Sequence, residues 1–271
     1  MLCFRVEHEI SPGRRSIYWS GEKYITYTAV EGDGKKFLMY ETFDKDWNPT
    51  GEDKQIFGEN LGAHSPVLLP VNKRLFVVFC GKSPFKDQAE CVWFYEHGTD
   101  RVKPVFVPHG MHLTEKNWAP FDYRGALAFV YCFDPLVVVK CDTDTGKCVC
   151  IRGSLPCKTS GLVIKGGTSL RDTGEFYEGF VRSSHGGVEL AHLVKLTKKL
   201  EMSSVSEPVT FDRGDPSREI PLSQWTRDGG VYVTATVGEK CVMASFEEKT
   251  WSEKVRDMLS NRKSSPSSSP P

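Results

Sequence analysis

Short stretches rich in aromatic and β-branched residues recur along the chain, and each of them follows a turn. Apolar positions do not repeat at helical spacing until Lys249. Stretches of this composition, bounded by Gly, Asn and Asp, are typical of β-strands. Five of them can be aligned, namely WSGEKYITYTAV, VNKRLFVVFCG, DYRGALAFVYCF, DTGEFYEGFVR and RDGGVYVTATV. The pattern predicts an all-β chain.

The spacing of these five stretches is nearly constant. Matching positions are Tyr27, Phe79, Tyr131, Phe180 and Thr236, which are separated by 52, 52, 49 and 56 residues. A second hydrophobic stretch follows each of them, and a segment containing Pro or Gly precedes each. Five all-strand units of similar length predict a five-bladed β-propeller. A β-sandwich with coincidental spacing is the alternative.

The two ends of the chain have different predicted roles. We expect the N-terminal LCFRVEH to be the outer strand that completes the last blade, so that the propeller covers residues 1–246. Thr250 and Glu253 have the spacing of a helix capping box, which predicts a short C-terminal helix over 247–262, packed on the propeller. The Ser/Pro-rich residues 263–271 predict a disordered tail.

The composition excludes several classes of partner. Lys plus Arg equals Asp plus Glu at 35 each, and this zero net charge argues against nucleic acid or an anionic membrane as the main partner. No apolar run approaches the roughly 20 residues of a membrane helix, and MLCFRVEHE lacks the apolar core of a signal peptide. We therefore expect a cytoplasmic protein. The sequence does not indicate an oligomeric state.

The nine cysteines show no pair of C-x-x-C motifs. A reducing compartment favours thiols that serve as small apolar side chains in strands. We accordingly predict neither a metal site nor a cofactor.

Candidate site residues come from the segments that enter the innermost strands, because these segments meet at one mouth of the central channel. Basic and amide groups are numerous there, and they suit an anionic ligand such as a phosphate or a sugar phosphate. The predicted binding residues are Arg14, Arg15, His64, Lys116, Asn117, Gly167, Thr168 and His192. The available carboxylates are Glu9, Glu115 and Glu219.

Several of these residues also have a purely structural interpretation. Arg14 and Arg15 are adjacent on a predicted strand, so both cannot face the channel, and either can be a surface charge. His64 can cap a turn, and Gly167 can serve only a tight turn. His192 lies in an otherwise apolar strand, where a hydrogen-bonded structural histidine is the alternative to a ligand contact.

Four motifs resemble the five-bladed propellers of glycoside hydrolase family 130 and glycosyltransferase family 108. EKNWAPFDYRGALAFVYCFDPLVVVKCDTDTGKC is similar to the Lys-Asn segment and strand pair of those proteins. IKGGTSL is similar to their Gly-Gly-Ser turn, and SREIPL to their Glu-containing fifth segment. LAHLVKL is similar to their aromatic-x-His strand, with Leu190 at the aromatic position. The likeness runs from about Glu9 to Phe246.

The resemblance implies a β-mannoside phosphorylase or mannosyltransferase that acts on a sugar phosphate or a nucleotide sugar. Glu9 or Glu219 would be the proton donor. Arg14 or Arg15, Lys116 and His64 would bind phosphate, and Asn117 and His192 would contact sugar hydroxyls. The expected ligands are a sugar or sugar phosphate and inorganic phosphate.

One departure from the family pattern leaves alternatives open. The catalytic Asp of the family lies in an E-D-x-R segment, where this chain reads EISPGR from Glu9. A catalytically inactive propeller that binds a glycan or a protein is therefore the alternative function. A family 43 type of hydrolase would need further carboxylates in the channel.

Overall fold

The residues that the computed structural model describes form five antiparallel sheets and almost no helix. Each sheet has four strands, and one sheet has an additional short strand. Strands that follow one another in the chain pair with each other, except around that short strand and where the first strand of the chain joins the last sheet. The structure describes residues 2–10, 14–51, 55–85, 89–107, 117–154, 163–185, 188–211, 219–237 and 240–248.

The strands divide into five blades in chain order, except that the first strand, β1 (Leu2–Ile10), belongs to the last blade. Blade one contains β2 (Arg14–Trp19), β3 (Tyr24–Gly32), β4 (Lys35–Phe43) and β5 (Gln55–Phe57). Blade two contains β6 (His64–Val71), β7 (Arg74–Lys82), β8 (Glu90–Glu96) and β9 (Val102–Pro104). A single 3₁₀ turn, Glu59–Leu61, precedes it.

Blade three contains β10 (Ala119–Tyr123), β11 (Ala126–Phe133), β12 (Leu136–Cys141) and β13 (Cys148–Arg152). Blade four contains β14 (Val163–Gly166), β15 (Arg171–Asp172), β16 (Phe176–His185), β17 (Val188–Thr197) and β18 (Met202–Val205). Blade five contains β19 (Glu219–Arg227), β20 (Gly230–Val237), β21 (Lys240–Glu248) and the outermost strand β1.

The five-bladed propeller predicted from the repeat is confirmed. The five matching positions lie in β3, β7, β11, β16 and β20, which are the second strands of the five blades. The segments that precede them form the innermost strands. Five separate sheets replace the two packed sheets that a sandwich would have.

The ring is closed by the N-terminal strand. β1 pairs antiparallel with β21, and Phe4 lies opposite Phe246. β21 continues to Glu248, so the last blade extends two residues beyond the predicted boundary at 246. The rest of the predicted helix over 247–262 and the predicted tail over 263–271 lie outside the described residues.

The hydrophobic core is divided into five clusters, one between each pair of neighbouring blades. Phe76 and Phe129 pack between blades two and three, and Phe121 and Tyr177 between blades three and four. Each sheet is thus covered on both faces. Two covered faces explain why the strands are continuously apolar instead of alternating.

The innermost strands are joined to one another by hydrogen bonds around the channel. These bonds are Leu68 N–H to Ser16 Oγ, Ile17 N–H to Ser223 Oγ, Leu170 N–H to Pro120 O, and Gln224 Nε2 to Ser169 O. A weaker contact of 3.4 Å joins Asn72 N–H to Asp122 Oδ2. Buried backbone groups need such partners, and here side chains of the neighbouring blade supply most of them.

Ser223→Ala should lower the free energy of unfolding by about 1–3 kcal/mol, because it leaves the buried Ile17 N–H without its acceptor. The Ser223 hydroxyl is fully buried and lies 3.0 Å from that nitrogen. Urea denaturation measures the change. Ser204→Ala, on an exposed position of β18, is the control and should have little effect. An equal loss in both variants would contradict this role of Ser223.

None of the seven cysteines whose side chains the structure describes forms a disulfide, and six of them are buried. Within the same residues, no group of three or more His, Cys, Asp or Glu side chains is placed to hold a metal ion. The described part of the chain also has no helix with the length and apolarity needed to cross a membrane.

Candidate functional site

A depression lies between blades two, three, four and five, next to the starts of β6, β10 and β19 and the end of β14. Its empty volume is about 580 Å³, part of which is open to solvent. The residues that line it include Ser65, Pro66, Asn117, Trp118, Gly166, Gly167, Arg182, Ile220, Pro221 and Leu222. Four of the five segments that enter innermost strands therefore meet in one place. None of the described residues that line the depression carries a carboxylate.

Two glycines allow close backbone contacts at this depression, Gly166 with blade three and Gly167 within blade four. A Cβ atom on Gly166 would lie 2.6 Å from the carbonyl oxygen of Asn117, and one on Gly167 would lie 2.8 Å from that of Phe180. The Gly166 N–H donates to the same Asn117 oxygen at 2.6 Å. Close backbone packing thus requires both glycines, and both also line the depression.

Two non-glycine residues with left-handed backbone line the depression. Ser65 has φ of 52° and Asn117 has φ of 62°. Asn adopts this conformation more readily than Ser, for which it is uncommon. Residues held in sparsely populated conformations are concentrated at binding and active sites.

A polar network joins Asn117 to the second and third strands of blade four. Arg182 donates to Asn117 Oδ1 at 2.9 Å and to Glu189 Oε2 at 3.0 Å. Lys165 lies 3.4 Å from Glu189 Oε1. The three ionised groups carry a net charge of +1 beside the depression, and only 12% of the Arg182 side chain is exposed.

A second polar group lies on blade two. His64 Nε2 is 2.8 Å from Glu90 Oε1, and His64 Nδ1 is 3.1 Å from the hydroxyl of Ser65. His64 and Ser65 also line an adjoining cavity between blades one and two. The carboxylate of Glu90 thus orients a histidine next to a residue of the central depression.

Three predicted binding residues have their polar atoms bound inside the fold. Arg15 donates to Thr28 Oγ1 at 2.9 Å and to Glu41 Oε2 at 3.3 Å. Its side chain is buried within blade one, and burial lowers the pKa of Arg15, an effect that the neighbouring Glu41 carboxylate opposes. Arg15 is therefore not among the residues that line the depression.

Thr168 and His192 make similar internal contacts. The fully buried Thr168 hydroxyl accepts from Phe180 N–H at 3.0 Å and donates to Ser169 O at 2.9 Å. His192 Nδ1 lies 2.9 Å from the carbonyl oxygen of Ser206, so Nδ1 is the donor there and Nε2 accepts from Ser183 Oγ at 2.8 Å. These contacts match the structural interpretation of His192 given above.

The remaining predicted residues are described by their backbone or lie outside the described residues. Glu219 begins β19 and directly precedes the three residues of that strand that line the depression. Arg14 begins β2. Glu115 and Lys116 lie outside the described residues.

Glu9 lies on the outermost strand of blade five, opposite Val242 of β21. β20 and then β19 follow inward from β21, so Glu9 is three strands away from the channel. At a strand spacing of about 4.8 Å, its backbone is roughly 14 Å from β19. The prediction that Glu9 enters the channel with blade one is therefore wrong, because its strand pairs with β21 and not with β2.

The structure adds Arg182, Glu189, Lys165 and Glu90 to the candidate site, all of which the sequence analysis missed. Arg182 lies in the largely apolar stretch FYEGFVR. An arginine in a strand predicted to be buried is the feature of the sequence that could have identified it as a site residue. Its position opposite Lys165 depends on the pairing of β14 with β16. That register cannot be obtained from the period of the repeat.

Comparisons with known proteins connect this fold to carbohydrate-active proteins. No protein-family model matches the chain. A curated relative, "Beta-mannosyltransferase 3" of Komagataella phaffii, is 39% identical over 79 residues, which is 28% of this chain and 11% of the relative. The matched segment thus spans only about a tenth of that relative's length.

Solved structures match over most of the chain at low identity. The β-1,2-mannobiose phosphorylase from Listeria innocua, solved with β-1,2-mannobiose, has a TM-score of 0.56 and 11% identity, and the match covers 93% of this chain and 92% of that one. A structure reported for the family 130 mannoside phosphorylases, which contain hydrolases of β-1,2 mannosidic linkages in Candida mannan, has a TM-score of 0.59 and 8% identity over 86% and 83%. This chain has the fold of those five-bladed propellers. Identities this low establish the fold alone.

Proposed function

We propose that this protein is a carbohydrate-active propeller that binds a mannose-containing sugar or sugar phosphate in the central depression. It transfers the mannosyl group as a glycosyltransferase or a phosphorylase, with a sugar phosphate or a nucleotide sugar as donor. Inorganic phosphate is the co-substrate in the phosphorolytic direction. We propose the cytoplasm as the location of the protein. The proposed function is supported by the similarity to a β-mannosyltransferase and a β-1,2-mannobiose phosphorylase, and by the residues that line the depression.

The position of Glu219 is the observation that carries the proposal. This residue begins β19, and Ile220, Pro221 and Leu222 directly after it line the depression. Phosphorolysis of a glycoside needs a carboxylic acid that gives a proton to the leaving oxygen, or to a hydroxyl that relays it. Glu219 is the predicted catalytic residue whose backbone adjoins the lining, whereas Glu9 lies on the outermost strand.

Arg182 is the proposed phosphate-binding group of the site. Its guanidinium is positioned by Asn117 and Glu189, so its orientation is set before a ligand arrives. A positioned guanidinium suits phosphate oxygens geometrically and offsets charge that develops in the transition state. Lys116, which precedes Asn117 in the sequence, would supply a second cation.

Sugar binding without catalysis is the second candidate function. It is favoured by the absence of a carboxylate among the described residues that line the depression. In that case Asn117, Arg182 and the ring of Trp118 would hold the glycan, and no glycosidic bond would be broken.

A pair of assays separates these two functions. The full chain is incubated with mannose 1-phosphate and a panel of acceptor sugars while phosphate release is measured, and with β-1,2-mannobiose and phosphate for the reverse direction. Calorimetry measures binding of the same compounds. Turnover supports the enzyme, and binding without turnover supports the second function. Neither turnover nor binding would contradict both.

Arg182→Gln should weaken binding of mannose 1-phosphate by about 10–150-fold, equivalent to about 1.5–3 kcal/mol for a lost hydrogen bond to a charged group. Binding of uncharged mannobiose should change little. Arg152→Gln is the matched control, because it removes a largely exposed guanidinium at the end of β13. Equal weakening of both ligands by Arg182→Gln, in a variant with unchanged melting temperature, would contradict a phosphate-specific role.

A further inference from the structure

Cys141 and Cys148 face each other across the last hairpin of blade three. They are direct partners in the antiparallel pairing of β12 with β13. The Cys148 N–H donates to Phe106 O at 2.7 Å, and Asp142 N–H donates to Lys147 O at 2.8 Å, so the two cysteines exchange no backbone hydrogen bond. Such non-hydrogen-bonded pairs have Cα atoms about 4.5 Å apart and close side chains. This separation falls within the range of disulfides, about 4.4–6.8 Å.

The two thiols are buried and in contact. Cys141 is 4% exposed and Cys148 is 1% exposed. Contact with Cys141, together with burial, raises the pKa of Cys148 above its usual value. Cys148 therefore keeps its proton next to the Cys141 sulfur in the reduced protein.

Cys141 is one of the residues that line a cavity between blades two and three. The cavity has an empty volume of about 800 Å³, including space open to solvent. Cys148 is absent from that lining. Of the two buried cysteines, Cys141 thus adjoins the cavity, and Cys148 is its partner across the hairpin.

The rim of this cavity carries an excess of positive charge. Lys140 and Lys147 line it and are exposed, whereas Asp142 is the single carboxylate among the described residues of the lining. Arg74 also lines it, but its charge is offset by two hydrogen bonds of 2.6 Å to the Glu96 carboxylate. A net positive rim attracts small anionic reactants.

We propose that Cys141 and Cys148 form a redox-active dithiol, which a small anionic disulfide of the glutathione disulfide type oxidises through this cavity. The Cys141 thiolate attacks one sulfur of the reagent, forms a mixed disulfide and releases the first thiolate. Cys148 then loses its proton and attacks the Cys141 sulfur, which releases the second thiolate. The protein loses two electrons and two protons, and the reagent is reduced to two thiols.

The proposal can be tested on the full chain with glutathione as the probe. The reduced protein is equilibrated with buffers of varied glutathione disulfide to glutathione ratio, quenched with an alkylating reagent and digested without reduction. We expect the peptide that spans Cys141 and Cys148 to lose two hydrogens and to resist alkylation as the ratio rises. A pair that stays fully alkylated while Cys150 acquires glutathione would overturn the proposal.

Single variants distinguish Cys141, which attacks the reagent, from Cys148, which resolves the mixed disulfide. Cys148→Ser should stop the reaction at a glutathione adduct on Cys141, and Cys141→Ser should abolish both the adduct and the disulfide at this site. Cys150→Ser is the matched control, since Cys150 is an exposed thiol on the same strand and its loss should leave oxidation of the pair unchanged. Loss of the cross-link in Cys150→Ser would overturn the assignment. If a Ser variant does not fold, alkylation of the unmodified chain still decides the question.

Discussion

Glu219→Gln should lower the rate of mannosyl transfer or phosphorolysis by about 10²–10⁴-fold, because a positioned proton donor contributes a factor of this size. Gln has nearly the shape of Glu but cannot supply the proton. Affinity for the sugar should therefore persist, and the loss should appear in kcat and not in binding. Initial rates of phosphate release, with calorimetric sugar affinities on the same preparation, measure both quantities.

Two further variants test which residue is the proton donor. Glu9→Gln tests the other predicted donor, and the exposed Glu207 changed to Gln serves as a neutral control. Since the backbone of Glu9 lies on the outermost strand, we expect its variant to retain more activity than Glu219→Gln. Robust turnover in the double variant of Glu9 and Glu219 would show that a different group supplies the proton.

Gly166→Ala should lower the free energy of unfolding by about 3 kcal/mol or more, at the upper end of the range for overpacking. The new Cβ would lie 2.6 Å from Asn117 O and 2.8 Å from both Ala119 N and Trp118 C. These are backbone atoms, so no side-chain rotation relieves the contact. Thermal and urea denaturation measure the loss.

The matched control is Gly32→Ala at the end of β3, where the nearest heavy atom to an added Cβ is a Phe37 ring carbon at 3.9 Å. That variant should change stability by less than about 0.5 kcal/mol, as is usual for surface positions. Because Gly166 lines the depression, its variant should also weaken sugar binding. Equal stability of the two alanine variants would contradict the close approach of blades three and four.

The fold could be predicted from the sequence because each blade repeats the same order of strands. A constant spacing was enough to identify Tyr27, Phe79 and Tyr131 as equivalent positions, and all three lie in the second strands of their blades. The outer strand β1 was predictable for a similar reason, since blade five otherwise has three strands.

The site was harder to predict because side-chain direction depends on register. Arg15 belongs to an innermost strand, yet its guanidinium lies along blade one beside Thr28 and Glu41. Arg182 lies on a second strand and still lines the depression. A one-residue change of register exchanges the two faces of a strand, and the repeat spacing does not resolve such a change.

Closure of the ring by β1 has a consequence for how the protein is made. The residues paired between β1 and β21 are at least 231 positions apart, as with Ile10 and Cys241. During translation β1 is made before the other described strands, and it has no pairing strand until β21 has left the ribosome. Contacts of such long range slow folding, and a waiting strand with open backbone groups is a site for aggregation. We therefore expect nascent chains that stop before β21 to depend on chaperones.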